Sequence, residues 1–248
     1  MSAYVKLKII QKVAYVEFFN PPHNSLTPDL IDKLIKTIIK AGVDKNIHII
    51  VLKSGGDRVF CAGASFNHMV DIKTKNQGKN FFMGFANLIN TLRTCPKIII
   101  GSVHGKAIGG AVGIAAATDI CYASEYASIK LSEISIGIGP FVIEPAIRRK
   151  IGLSAFTHLA LKSQTFFSAK WAREKGLFAD VFESNNDLNS EVEILANELS
   201  DYNPEALSAL KKILWQDINN WDELLKDRAS ISGDLVLSSF AKYFLNNY

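Results

Sequence analysis

Three short segments carry residue types that could work together on a polarised carbonyl. The first is Phe60-Cys61-Ala62-Gly63-Ala64-Ser65, a small-residue loop after a short buried strand. The second is the Gly109-Gly110 turn, which follows the β-branched stretch Ile98 to Val103. The third is Lys130-Leu131-Ser132-Glu133-Ile134. Loops that follow parallel strands lie at one sheet edge, where ligands bind. Glycine and alanine let another group come close to the main chain, and two converging backbone N–H groups can stabilise an oxyanion. A helix starting near Gly109 adds unpaired N–H groups that favour negative charge. Taken alone, the run Ser102 to Asp119 reads equally well as close packing of a small-residue helix. Glu133 is flanked by apolar residues. Burial would raise its pKa and let it both give and take a proton. The alternative is a solvated loop acid or a helix cap.

The remaining pattern must supply the elements that position these segments. Val5 to Ile10 and Val13 to Phe19 predict an opening hairpin. Asn20 to Asn24 breaks it, and Thr27 with Pro28 opens a helix that ends at Gly42. His48 to Lys53 predicts a strand, Ser54 to Ala64 a loop, and Asn67 to Lys79 a mobile polar stretch. A helix follows over Phe81 to Arg93, then the strand Ile98 to Val103, the helix from Gly109, and strands over Ile120 to Ala123 and Ser128 to Leu131. Strands alternating with helices predict an α/β fold with a largely parallel sheet. From Glu144 the pattern is helical: Glu144 to Ile151, Ala155 to Leu161, Ala169 to Glu174, Asp187 to Leu199, Glu205 to Trp215 and Asp222 to Leu245. One strand, Ala179 to Glu183, interrupts it. Residues 1–185 read as a core and 186–248 as a helical region, packed on its own core or on a neighbouring subunit. Trp171, Trp215 and Trp221 read as core or interface.

The bulk composition excludes several classes. The chain has 248 residues, 48% hydrophobic and 21% charged, with net charge +4. Its lysines are scattered, so nucleic acid is not an expected partner. The most apolar run, Ala107 to Ala117, is too short to span a membrane, and Met1 to Ile10 lacks a signal-peptide pattern. Cys61, Cys95 and Cys121 match no disulfide framework or metal site. The expected location is the cytoplasm, with reduced thiols.

Four stretches in order resemble the crotonase superfamily, the enoyl-CoA hydratase/isomerase family. They are Phe60 to Ala64, Val103 to Gly110, Ala116 to Ile120 and Leu131 to Gly137. The resemblance implies a spiral of ββα turns followed by a helical C-terminal trimerisation region, in a trimer or dimer of trimers. It implies an acyl-CoA substrate, no further cofactor and no metal. Ala64 and Gly110 match the oxyanion-hole positions, and Glu133 matches a catalytic glutamate. Ala62, Gly63, Ser65, Arg58, Gly109, Pro140 and Phe141 fall at or beside substrate and CoA positions, and Lys53 is a second candidate for CoA phosphates. Asp119 matches a structural aspartate that holds a turn. His104 reads as a packed histidine, and His68 as a surface residue or one bordering the substrate.

Two departures matter. The second hydratase glutamate would fall at Gly113, which cannot move a proton, and Ser65 stands where many members carry a charge. Glu144 is a candidate replacement acid, with a helix N-terminal acid as the other reading. The segment Gly137 to Ile147 is also similar to methylglutaconyl-CoA hydratases. The expectation is therefore an enoyl-CoA hydratase, possible substrates including branched or carboxylated acyl groups. An isomerase using Glu133 alone is the alternative, and a non-catalytic acyl-CoA-binding homologue is an alternative of another class.

Overall fold

The computed structural model describes residues 2–216 and 220–247. Its strands are β1 (Tyr4–Ile10), β2 (Val13–Phe19), β3 (Ile49–Ser54), β4 (Val59–Cys61), β5 (Ile98–Val103), β6 (Lys106–Ile108), β7 (Ile120–Ser124), β8 (Ser128–Lys130), β9 (Phe167–Ser168) and β10 (Asp180–Phe182). Its helices are α1 (Pro28–Val43), α2 (Phe66–Val70), α3 (Lys75–Thr94), α4 (Gly110–Ala117), α5 (Glu144–Leu161), α6 (Ala169–Glu174), α7 (Asn185–Ser200), α8 (Pro204–Leu214), α9 (Trp221–Leu235) and α10 (Ser239–Asn246).

β1 and β2 form the expected antiparallel hairpin, with Ile10 opposite Val13. Thr27 Oγ1 accepts the Leu30 N–H at 3.2 Å and starts α1. The main sheet runs β1-β2-β3-β5-β7-β10, parallel from β2 onward. β3 and β5 open with aliphatic runs, Ile49 to Leu52 and Ile98 to Ile100, because both sheet faces are covered. On one face, Leu188, Val192 and Ala196 of α7 pack on Val13, Ile49 and Val51. On the other, α1 and α3 bury Leu34, Ile38, Leu88 and Ile89 in the larger core.

A second sheet runs β4-β6-β8-β9. Its strands are two or three residues long, too short to show a side-chain alternation. The stretch Ser54 to Ala64, expected to be a loop, contains one of them. After the opening hairpin and α1, the chain repeats a long strand, a short strand and a helix: β3-β4-α2, β5-β6-α4 and β7-β8 before α5.

Two other expectations change. The polar stretch 67–79 is largely ordered: α2 occupies its start, and α3 begins at Lys75 behind a reciprocal cap between Thr74 and Gln77. Glu144 to Leu161 holds the two expected helical segments, broken at Gly152, where φ is 75° and ψ is 168°. The last helical stretch divides at Ser238, whose hydroxyl caps α10. Gly233 lies inside α9 against Gly78 of α3. A Cβ on Gly78 would stand 2.6 Å from the Gly233 carbonyl oxygen. The glycine pair lets the two backbones touch, so α9 lies on α3 of its own chain.

Asp119 ties the C-terminal helices to the sheet. Its carboxylate accepts the Ile99 N–H and the Trp215 Nε1–H, each at 2.8 Å. It also pairs with Lys211 Nζ at 2.8 Å, with both side chains buried. Lys211 donates further to the Leu92 and Lys97 carbonyls. Every polar atom at this junction therefore has a partner, as a buried pair requires. Trp215 and Trp221 are buried beside it. Cys61, Cys95 and Cys121 are buried free thiols. Among the described residues, no helix is long and apolar enough to cross a membrane.

Candidate active site

A narrow cleft lies where the ends of β4, β6 and β8 meet α3, the start of α5 and α9. Ala62, Gly63 and Ala64 form one lip, and Gly109, Gly110 and Glu133 form the other. Local chain geometry sets the first lip. Leu26 bridges to Ala64: its N–H donates to the Gly63 carbonyl at 2.7 Å, and its carbonyl accepts the Ser65 N–H at 3.0 Å. The residue between two such bonds turns its own N–H the other way. The Ala64 N–H therefore faces away from Leu26. Gly109 precedes α4 with φ 56°, so the chain turns sharply there. Gly110 is the first residue of α4, and its N–H has no partner within the helix. The loops are adjacent: a Cβ on Gly63 would stand 3.5 Å from Gly110 N. α3 closes the floor, and a Cβ on Gly110 would overlap the Phe85 ring, 2.8 Å from its Cδ1.

Glu133 starts a short 3-10 turn, Glu133–Ile136, which ends at Gly137 with φ 80°. Its carboxylate lies against the Gly109 turn, since a Cβ on Gly109 would stand 2.7 Å from Glu133 Oε1. Oε2 is buried and has no hydrogen-bond partner among the described residues. Burial pushes the Glu133 pKa up to about 7, opposed only by its own backbone N–H. A carboxyl at that pKa holds and releases a proton near neutrality.

The expected partner acid is not in the cleft. A Cβ on Gly113 would stand 2.5 Å from Ile143 Cβ, so an isoleucine fills the space above the glycine. Glu144 does not line the cleft. Its carboxylate lies 3.5 Å from Arg148 and 3.8 Å from Arg228. The alternative reading, an acid in the first turn of α5, is the one that matches, and Ile143 takes the pocket-facing position one residue earlier. Glu133 is then the one carboxylate that lines the cleft among the described residues.

The other candidates divide. Pro140 lines the cleft, while Phe141 folds back over Gly139. Ser65 is buried and shares a 2.9 Å hydrogen bond with His68 Nδ1, which turns both toward each other. Arg58 is exposed and lines no part of the cleft. Lys53 lies 3.4 Å from Glu17, lining a separate cavity with His104. His104 is buried, and burial lowers its pKa, so it rests neutral. Sequence reasoning missed the cationic mouth. A groove of about 520 Å³ adjoins the cleft, sharing Ala62, Ala64 and Ile108. Lys106, Lys130 and Phe166 line it, each ammonium 5.2 Å from the Phe166 ring centre. These residues sit 24 or more positions apart in the chain, so only the second sheet reveals that they meet. The apolar wall (Phe82, Phe85, Ile143) was likewise readable only as generic core.

Comparison with known proteins bears on this arrangement. Residues 8–232 match the family model described as enoyl-CoA hydratase/isomerase. A protein named probable enoyl-CoA hydratase from Bacillus subtilis is 26% identical, over 96% of this chain and 92% of its own. The peroxisomal Delta(3,5)-Delta(2,4)-dienoyl-CoA isomerase of Arabidopsis thaliana is 28% identical, over 86% and 83%. The human mitochondrial methylglutaconyl-CoA hydratase is a more distant match: 29% identity covers 66% of this chain and 48% of that one. The crystal structure of enoyl-CoA hydratase from Bacillus halodurans superposes with TM-score 0.92, covering 99% of this chain and 100% of that one at 21% identity. The spiral is therefore the crotonase fold. With a family model spanning most of its length, the chain belongs to the enoyl-CoA hydratase/isomerase family.

Proposed function

We propose that this chain moves a proton along the acyl group of an enoyl-CoA, as a double-bond isomerase, with Glu133 as its one acid–base group. The observation that carries the reading is the pairing of Gly113 with Ile143. A hydratase that splits its proton transfers between two acids needs a second carboxylate, and an aliphatic side chain occupies that space. In this reading the thioester oxygen sits between the Ala64 and Gly110 N–H groups, whose stabilisation grows as the enolate forms. Glu133 removes a proton from C2 of a 3-enoyl thioester, and the electron pair moves onto the thioester oxygen. Collapse of the enolate takes the proton back at C4 and leaves the double bond between C2 and C3. No water is consumed. The groove with Lys106, Lys130 and Phe166 suits the phosphates and the adenine ring of CoA. Arg58 and Lys53 have no place in it.

Hydration is the second reading. It is favoured by the near full-length similarity to the Bacillus subtilis protein. Water would then add its hydroxyl at C3 while Glu133 gives its proton to C2 and, as the carboxylate so formed, takes back the proton the water releases. The two readings require opposite ionisation states of a carboxyl whose pKa is about 7. Isomerisation starts from the carboxylate, so kcat/KM falls as pH drops through about 7. Hydration with Glu133 as donor starts from the acid, so kcat/KM falls as pH rises through it. The test follows the conjugated thioester absorbance with 3-pentenoyl-CoA and crotonyl-CoA from pH 5.5 to 8.5. Gain of signal from the first, with an acid limb, supports isomerisation. Loss of signal from the second, with a basic limb, replaces it by hydration. Binding without turnover of either would leave a non-catalytic acyl-CoA-binding homologue. Association of copies through the C-terminal helices into a trimer is part of the same proposal, checked by light scattering.

A further inference from the structure

The wall of the cleft contributed by α9 is polar at one point. Ser232 lines the cleft, is 1% exposed, and its hydroxyl has no hydrogen-bond partner among the described residues. A serine inside a helix ordinarily returns its hydroxyl to the carbonyl four residues back. Ser230 on the same helix does so, donating to the Lys226 carbonyl at 3.0 Å. Ser232 does not. Its neighbour Gly233 explains the placement, because the backbone contact with Gly78 seats this turn of α9 on α3 and fixes Ser232 at the pocket wall. The surrounding wall is apolar, including Phe82, Phe85, Val142 and Ile143.

A buried hydroxyl without a partner is costly, and a ligand that supplies one recovers that cost. A site built this way rejects the analogue that lacks the matching group. Charge narrows the ligand further. No lysine, arginine or histidine lines the cleft among the described residues, and Glu133 is already an acid there. A free carboxylate on the acyl chain would be desolvated without a counter-ion. Size narrows it again, since the free space is about 50 Å³, little more than one or two water volumes.

We infer that the acyl group of the substrate is short and uncharged and carries one hydroxyl or carbonyl that hydrogen-bonds to Ser232. This rests on the acyl-CoA reading above and turns away from the carboxylated substrates that the sequence alone suggested.

Isothermal titration with three saturated thioesters tests it without depending on turnover: butanoyl-CoA, 4-hydroxybutanoyl-CoA and glutaryl-CoA. The expected order puts the hydroxylated ligand first, by about tenfold over butanoyl-CoA, and glutaryl-CoA last. Ser232→Ala should abolish that preference, chiefly by weakening the hydroxylated ligand. The variant should fold, because alanine favours the helix, and its Tm should not drop. Equal binding of the first two ligands by the wild type overturns the inference. So does a preference that survives Ser232→Ala, or glutaryl-CoA binding tightest. The preference is measurable on the wild type alone, so a variant that failed to fold would not shield it. If the preference holds while no enoyl-CoA is turned over, the proposed function fails and this inference stands. If no thioester binds, both fail.

Discussion

Asp119 and Glu133 are both buried carboxylates near the ends of core strands, and they are treated in opposite ways. Asp119 accepts from Ile99, Trp215 and Lys211, so its charge is fully matched. Glu133 has one oxygen with no partner, and burial holds its proton to about pH 7. The first arrangement suits a joint and the second a reaction. Burial alone does not distinguish a structural acid from a working one; the partners do.

The sharpest way to break the contrast is to remove each carboxylate's charge. Glu133→Gln should lower kcat by about 10²–10⁴-fold, the usual worth of a positioned acid–base group. Turnover near the wild-type rate on the preferred enoyl-CoA would end the assignment of Glu133. Asp119→Ala should act on stability instead. It leaves the Lys211 ammonium buried without its counter-charge, which costs about 3–5 kcal/mol. Denaturant titration would show it, while activity per folded molecule stays near wild type. A loss of activity without a loss of stability would reverse the two roles.

The pH dependence of stability sharpens the same comparison. For Glu133 the folded pKa lies above the unfolded one, near 7 against 4.5. Between those values the folded state holds the proton and the unfolded chain has lost it, so stability falls as pH rises. Below about 4.5 the effect is absent, and above about 7 it is complete. The shift of 2.5 units corresponds to on the order of 3 kcal/mol. Glu133→Gln should therefore lose activity yet gain on the wild type in Tm between pH 5 and 8. A gap that does not widen with pH would mean the carboxyl is solvated.

How much of this was legible in the chain depended on length and separation. The long aliphatic strands, the Thr27-Pro28 helix start and the residues of the two lips could be read locally, because each signal lies within a few positions. The second sheet could not, since its strands are too short for any periodicity. With it went the meeting of Lys106, Lys130 and Phe166. The stretch 67–79 misled because its polar residues face solvent from ordered helices, and the cap at Thr74 was the signal passed over. Ser232 carried no signal at all: a serine on an amphipathic helix shows nothing until the Gly78–Gly233 contact turns it inward.

That contact offers a smaller test. Gly78→Ala places a methyl where the Gly233 carbonyl lies. Overpacking of this kind costs about 1–3 kcal/mol, and it should shift α9 enough to weaken acyl-CoA binding alongside. Loss of stability with unchanged affinity for 4-hydroxybutanoyl-CoA would separate the helix crossing from the cleft.

The smallest effect belongs to Glu144, and it bears most directly on the choice between reactions. Its side chain is 14% exposed, and its partners Arg148 and Arg228 are 54% and 34% exposed. Ion pairs this open are worth about 0–1 kcal/mol, so Glu144→Gln should barely move the Tm. Because Ile143 and not Glu144 stands over Gly113, the variant should also keep its turnover within about twofold, less than the tenfold that 1.4 kcal/mol would give. A tenfold loss confined to crotonyl-CoA hydration would put Glu144 back beside the reacting carbons. The cleft would then hold two acids in the working state, and hydration would displace isomerisation.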